Sequence, residues 1–312
     1  MNNQKKEELQ CLLWMANVQG FYPDKSAVEL EAGYQRWKDH RQRFALMNRD
    51  FPFENILHQS PNVELASLPG SIVFTFHYGP YRLLPRSLVA AGYRLTIVVS
   101  ASVLDRERTR YALDLAAMGL PADRLECLEA SNAMVIRKIL QAISKSRLIL
   151  VFLDANESAG NNGSNREHGR LRVSFGASYF YWRSNLLKLA HRIGLPVYAI
   201  HLSPKLHHTG PTWQVGDPLT VLTPADKNNP MALLNAFTKL QEYFHAMMQQ
   251  DWTAWENWGL MHHYKGFDQR AGIDARCQGS YMVPFSFADK GYLFDLSRKL
   301  FYEIIANKDN IS

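Results

Sequence analysis

Four short runs rich in β-branched and apolar residues alternate with stretches of helical length and spacing. The runs are "SIVFTF" (Ser71–Phe76), "RLTIVVS" (Arg94–Ser100), "RLILVFLD" (Arg147–Asp154) and "LPVYAIHL" (Leu195–Leu202). Strands this apolar are buried on both faces, and strands joined through helices pair in parallel. The pattern therefore predicts an α/β fold, a three-layer αβα sandwich around a mixed, mainly parallel central sheet. The helices between and after the strands are read at Leu83–Ala91, Asp105–Met118, Asn132–Lys145 with Ser131 as N-cap, and Trp182–Ile193. In such a sheet ligands bind outside the carboxyl ends of the strands. His77 follows the first run and Asp154 ends the third, so both fall at that edge.

The chain before the sheet reads as helical, because "SAVELEAGYQRWKDHRQRFALMN" places apolar residues at helical spacing, until "DFPFENIL" from Asp50 breaks the pattern. Beyond the sheet a long helix is read at Met231–Gln250, followed by "DWTAWENW". From about Lys265 an added tail, "SYMVPFSFADKGYLFDLSRKLFYEII", reads as a strand or hairpin and then a helix. A chain of 312 residues can close around one core. The expected organisation is a single domain over 1–312, with a helical part at 1–60, an α/β core at 61–258 and an extension at 259–312.

The polar, glycine-rich "ANESAGNNGSNREHG" after Asp154 reads as a mobile loop. Asp154, Asn156 and Ser158 alternate like calcium ligands, but Ala159 and Asn165 stand where an EF-hand needs glycine and glutamate, so that site is rejected. Cys11, Cys127 and Cys277 lie too far apart for a CxxC site and read as reduced thiols. The pairs His207-His208 and His262-His263 are adjacent in sequence and do not share a face, which argues against a metal site. The GxSxG, HExxH, P-loop and dinucleotide motifs are absent from the sequence.

A net charge of +6 favours an acidic partner, either an acidic carrier protein or an anionic surface. The basic residues are scattered rather than clustered in a nucleic-acid-binding signature, so nucleic acid is set aside. "CLLWMANVQGFY" is too short and too interrupted to cross a membrane, and a cytoplasmic protein is expected. The imidazole of His77, mounted between a buried strand and a helix, suits proton transfer near neutral pH. A half-buried histidine hydrogen-bonded to backbone would occupy the same position.

The blocks "FTFHYGPYR", "LVFLDANE", "LRVSFGASYFYWRSNLLKLAHRIGLPVYAI" and "QDWTAWENW" together resemble the lauroyl/myristoyl acyltransferase family of lipid A biosynthesis, within the lysophospholipid acyltransferase superfamily. The likeness runs from about Phe44 to about Trp258. It implies direct acyl transfer from a thioester on acyl carrier protein or coenzyme A, with no cofactor beyond the phosphopantetheine of the donor. It implies His77 as general base, normally partnered by an acid five residues on that holds the imidazole and stabilises the imidazolium.

At that place this chain has Arg82, and a cation beside His77 would lower its pKa. Three readings follow. Another carboxylate, Asp154 or Glu157, takes the orienting role. Alternatively the acceptor is an amine and Arg82 binds its carboxylate or the carrier's phosphate. In the third, the protein is a non-catalytic acyl- or carrier-binding module.

The resemblance also implies that Phe175 and Gly176 line an acyl tunnel or shape the turn beside it. Arg166, Arg170 and Arg172 are candidates for a carrier phosphate or a solvated loop face. The amides of Tyr78 and Gly79 are the geometric guess for an oxyanion hole. The family's N-terminal apolar anchor is not seen, which favours a soluble acceptor, small or carrier-bound, in lipopeptide- or polyketide-like biosynthesis. A peripheral lysolipid or lipid A-type acyltransferase is the rival reading, with "FGASYFYW" and "WTAWENW" as lipid-facing candidates.

Overall fold

Ser26 and Glu29 begin the second helix with a reciprocal cap. The Ser26 amide donates to the Glu29 carboxylate at 2.8 Å, and the Glu29 amide donates to the Ser26 hydroxyl at 3.3 Å. The computed structural model describes residues 3–50, 69–155, 170–207, 210–216, 218–263, 282–287, 290–296 and 298–304. Helices α1 (Asn3–Gln19) and α2 (Ala27–Asp50) come first. Then follow β1 (Ile72–Thr75), α3 (Leu83–Ala90), β2 (Leu95–Val99), α4 (Ala101–Ala117), β3 (Leu125–Glu129), α5 (Val135–Ser144) and β4 (Leu148–Phe152).

A hairpin, β5 (Arg170–Phe175) and β6 (Ser178–Arg183), leads to α6 (Asn185–Ile193) and β7 (Val197–Ala199). A second hairpin, β8 (Leu202–His207) and β9 (Gly210–Val215), precedes β10 (Leu219–Leu222) and α7 (Pro230–Gln250). Two 3₁₀ segments, Trp252–Ala254 and Glu256–His263, and three tail strands, β11 (Met282–Phe287), β12 (Lys290–Asp295) and β13 (Leu300–Glu303), complete the order.

The central sheet runs β10-β7-β1-β4-β2-β3, with β10 antiparallel to β7 and every other pair parallel. This is the mixed, mainly parallel sheet of a three-layer αβα sandwich. Strand β1 is buried along its whole length, as a central strand covered on both faces must be. At the amino edge, the buried guanidinium of Arg147 donates to the Thr96 hydroxyl at 2.7 Å and the Asp123 carbonyl at 2.7 Å, tying β2 and β4 together. At the carboxyl edge the last residues of β2 and β4 are only half buried, because Val98, Val99, Val151 and Phe152 open onto a cavity.

Most of the large rings of the aromatic segments form core, whereas Tyr179, Tyr181 and Trp252 are half buried. Phe180, Trp182, Trp255 and Trp258 are 0–1% exposed and pack with Phe244 of α7 and Phe21 after α1. Among the described residues no helix is long and apolar enough to cross a membrane. Cys11 and Cys127 are free thiols; Cys277 lies outside the described residues.

Several local expectations are corrected. Strand β3, "LECLE", goes unread from the sequence because its glutamates dilute the apolar signal at a sheet edge. Ser131 does not cap α5: its hydroxyl donates to Glu129, and the Asn132 side chain accepts from the Met134 amide instead. Trp182 belongs to β6, and the helix after it begins at Asn185. The tail hairpin is present, but the segment read as its helix forms β13, paired antiparallel with β12 through Phe294↔Phe301. "DFPFENIL" after Asp50 and the loop after Ala155 lie outside the described residues.

Candidate active site

Strands β1 and β4 are parallel neighbours with Thr75 opposite Phe152, so the residues two places beyond each arrive side by side. They are His77 and Asp154. The Leu153 amide still donates to the Thr75 carbonyl at 2.9 Å, which carries the register into the site. The His77 backbone amide donates to both Asp154 oxygens, at 3.1 and 2.9 Å, and His77 Nδ1 lies 2.9 Å from Asp154 Oδ1.

Asp154 is 1% exposed and held from a second direction. Trp255 Nε1 donates to its Oδ2 at 2.7 Å, and Asn257 Nδ2 donates to the same oxygen at 3.1 Å and to the Asp154 carbonyl at 2.8 Å. A side chain surrounded by donors fits an ionised carboxylate, which only accepts. The hydrogen on His77 is thereby assigned to Nδ1, and Nε2 keeps its lone pair.

Burial works against a charged His77, but the charge and hydrogen bond of Asp154, with Glu256 adding, outweigh it and the opposing Arg82. The pKa is raised above the ordinary histidine value. The ring packs between Tyr81 and Phe152, with centroids 4.8 and 4.6 Å away.

A short antiparallel bridge clamps residues 77–79 to the tryptophan-rich segment. The Glu256 amide donates to the His77 carbonyl at 2.9 Å, and the Gly79 amide donates to the Ala254 carbonyl at 3.0 Å. Gly79 has φ +60 directly before Pro80, a conformation that a side chain would disfavour. The chain there turns off the strand and into α3.

Two cavities meet beside His77. One, of about 690 Å³, is lined by His77 and by apolar side chains including Ile97, Val99, Val135, Ile139 and Phe152. The other, of about 490 Å³, lies between α2, α3 and α4 and is lined by Arg41, Arg82, Arg86 and Arg110 with Asp114 and Glu256. Tyr81, Arg82 and Glu256 line both. The Tyr81 hydroxyl accepts from Arg82 Nε at 3.1 Å and bonds the Glu256 side chain, so the three form the wall between them.

Of the residues read from the sequence, His77 and Asp154 are brought together, and Arg82 stands at the junction of the cavities. Arg82 does act to lower the pKa of His77, as expected, but Asp154 and Glu256 outweigh it and the net shift is upward. The oxyanion guess fails at Gly79, whose amide is bonded to Ala254. The Tyr78 side chain is fully buried and lines neither cavity.

Phe175 lies in the aromatic core rather than in a tunnel. Gly176 is a turn glycine with φ +54, where a Cβ would come within 2.0 Å of the Phe21 carbonyl oxygen. This is the close backbone approach that only glycine permits. Arg172 is exposed, with its guanidinium 4.0 Å from the Tyr179 ring centroid, and lines neither cavity. Glu157 and Arg166 lie outside the described residues, as does the side chain of Arg170. Among the described residues no group of three or more His, Cys, Asp or Glu is placed to hold a metal.

Sequence reasoning did not place Tyr81, Arg110, Trp255, Glu256 or Asn257 in the site; it read the tryptophan only as a lipid-facing candidate. The signal for the last three was the block "DWTAWENW" itself, whose polar members point to a task beyond packing. No protein-family model matches the chain, and no curated protein matches it significantly.

Proposed function

We propose that the protein is an acyltransferase that moves an acyl group from a thioester of acyl carrier protein or coenzyme A to the amine or hydroxyl of a soluble acceptor. The observation that carries this reading is the His77–Asp154 pair at the junction of an apolar and a cationic cavity. An acyl chain needs an apolar slot of a few hundred cubic ångströms, and the larger cavity is one. His77 Nε2 takes the acceptor's proton as the acceptor attacks the thioester carbonyl. Asp154 stabilises the imidazolium, and the proton then passes to the departing thiolate. The sequence resemblance to the lipid A acyltransferases supports the same chemistry. Asp154 then takes the orienting role of the family's acid, which leaves Arg82 for binding.

A second reading, a lipid acceptor at a membrane surface, is favoured by Ile136 and Leu260, which line the apolar cavity while 39% exposed. Thiol release from a series of acyl-coenzyme A and acyl-carrier thioesters tests both readings. Chain-length dependence and a loss of about 10²-fold or more in His77→Ala are expected. Full turnover by His77→Ala would remove the histidine from the mechanism, no release from any thioester would favour a binding module, and activity only with liposomes would select the lipid acceptor.

A further inference from the structure

The smaller cavity carries an assignment of the acceptor that deepens the acyltransferase reading and rests on it. Its charged groups are not all matched to one another. Arg86 is neutralised by Asp114, Nε to Oδ2 at 2.7 Å, and donates to the Asn48 carbonyl. His40 is paired with Asp251 at 2.8 Å. Arg82, Arg110 and Arg41 form no ion pair among the described residues: Arg82 bonds the Tyr81 hydroxyl, Arg110 reaches the Asn48 carbonyl at 3.5 Å, and Arg41 stacks over Trp37. Three guanidiniums line one hollow of about 490 Å³ without a direct ion pair, although Glu256 and Glu107 face Arg82 at longer range. Arg82 and Arg110 are half buried and Arg41 is exposed, and the half-buried pair suits a planar oxyanion.

One carboxylate in the cavity also lacks a direct ion pair, although the Tyr81 hydroxyl bonds it and its charge acts on Arg82. Glu256 forms no ion pair among the described residues, lines both cavities, and is fixed next to the base by its own amide, 2.9 Å from the His77 carbonyl. A carboxylate at the boundary of an otherwise cationic site answers a cation on the ligand. That cation would sit at the end nearest His77, with the ligand's oxyanion deeper among the arginines.

We infer that the acceptor is a small amine carrying its own carboxylate, of which an α-amino acid is the simplest form. Its carboxylate lies on Arg82 and Arg110 and its ammonium at Glu256 beside His77. The ammonium releases one proton to solvent, and the resulting amine attacks the thioester carbon. A C–N bond forms and the C–S bond breaks. The second N–H proton passes through His77 Nε2 to the thiolate, which leaves as a thiol. The products are an N-acyl amino acid, a free thiol and one proton. Arg82, where the resemblance leads one to expect an acid, is on this reading the residue that selects the acceptor.

The test supplies the full-length protein with an acyl-coenzyme A that it cleaves. As acceptors it uses the protein amino acids, the decarboxylated amine and methyl ester of each, matched alcohols, and phosphoethanolamine. Thiol release and product mass are the readouts. Transfer to one or more amino acids, with the decarboxylated and esterified partners at least tenfold poorer, is expected. Arg82→Gln, and Arg110→Gln should the first variant not fold, should raise the amino acid KM by about ten- to hundredfold, as losing a charged hydrogen bond does. Their thioester KM should change far less. Equal transfer to neutral amines or alcohols, a preference for phosphoethanolamine, or no transfer to any amino acid would overturn the inference while leaving thioester cleavage standing. No thiol release from any thioester would remove the acyltransferase reading and this one together.

Discussion

His77 follows β1 and His201 follows β7, each two residues past the end of its strand, and the two strands are hydrogen-bonded parallel neighbours. Both histidines are therefore mounted alike, at the edge where open α/β sheets bind ligands. Their surroundings differ in every other respect. Both ring nitrogens of His201 are engaged, Nδ1 with the Tyr243 hydroxyl at 2.7 Å and Nε2 with the Ser203 hydroxyl at 2.8 Å. His201 lines neither cavity, and burial holds its pKa down at about 4. His77 has one nitrogen on a carboxylate, the other left for chemistry, and a pKa moved upward. A strand end supplies a rigid mount. The facing acid and the adjoining space turn that mount into a candidate base.

The largest change is expected where the facing acid is removed. Asp154→Asn should lower turnover by about 10²–10⁴-fold, because the amide cannot stabilise the imidazolium. It should also move the acid limb of kcat/KM. With Asp154 present the raised pKa keeps His77 protonated to a higher pH than an ordinary histidine, so activity rises with pH through a limb above 6.5. In the variant that limb should fall. An unmoved limb would show that His77 is not the titrating base.

A middle-sized effect belongs to His201 and concerns stability. Folded His201 stays neutral down to about pH 4, whereas in the unfolded chain it takes up a proton near 6.5. The unfolded state therefore binds more protons between those values, and stability drops as pH falls through them, by about 3 kcal/mol for this group. His77, with its pKa raised, has the opposite sign: its contribution is present below 6.5 and lost as pH rises through the folded value. His201→Ala should cost about 1–3 kcal/mol at neutral pH, since the Tyr243 and Ser203 hydroxyls each lose a hydrogen bond to the ring. It should flatten the acid side of a urea-denaturation series and keep turnover per folded molecule within a few-fold. A large loss of turnover would break the contrast between the two histidines.

The smallest effect is expected at Trp255. Trp255→Phe keeps most of the buried ring but removes one donor from Asp154, which should reduce kcat/KM by about tenfold, with little change in thioester KM. A change in KM alone would place Trp255 in binding rather than in holding the carboxylate.

Much of this arrangement was legible in the sequence. The four apolar runs became β1, β2, β4 and β7, because strands buried on both faces cannot hide their composition. His77 and Asp154 could be placed on one edge by counting from the strand ends, although adjacency of β1 and β4 was not readable, since strand order depends on contacts across the whole sheet. Position alone would also have chosen His201. Trp255 and Asn257 were hidden because their partner is about a hundred residues away in sequence. Strand β13 was misread because "LFYE" has no turn signal long enough to separate it from a helical continuation.

The clamp on Asp154 also sets when the site can exist. Its donors at Trp255 and Asn257 lie 101 and 103 residues downstream, and a ribosome needs about 5–20 s to add that length. During that interval the carboxylate at the end of β4 has been synthesised without two of the groups that hold it. The parallel β1–β4 pairing is itself a long-range contact. A nascent chain that stops short of the tryptophan-rich segment thus contains both members of the dyad and lacks their framework. The hydrogen-bonded frame of Asp154 is completed with translation of the last stretch of the α/β core.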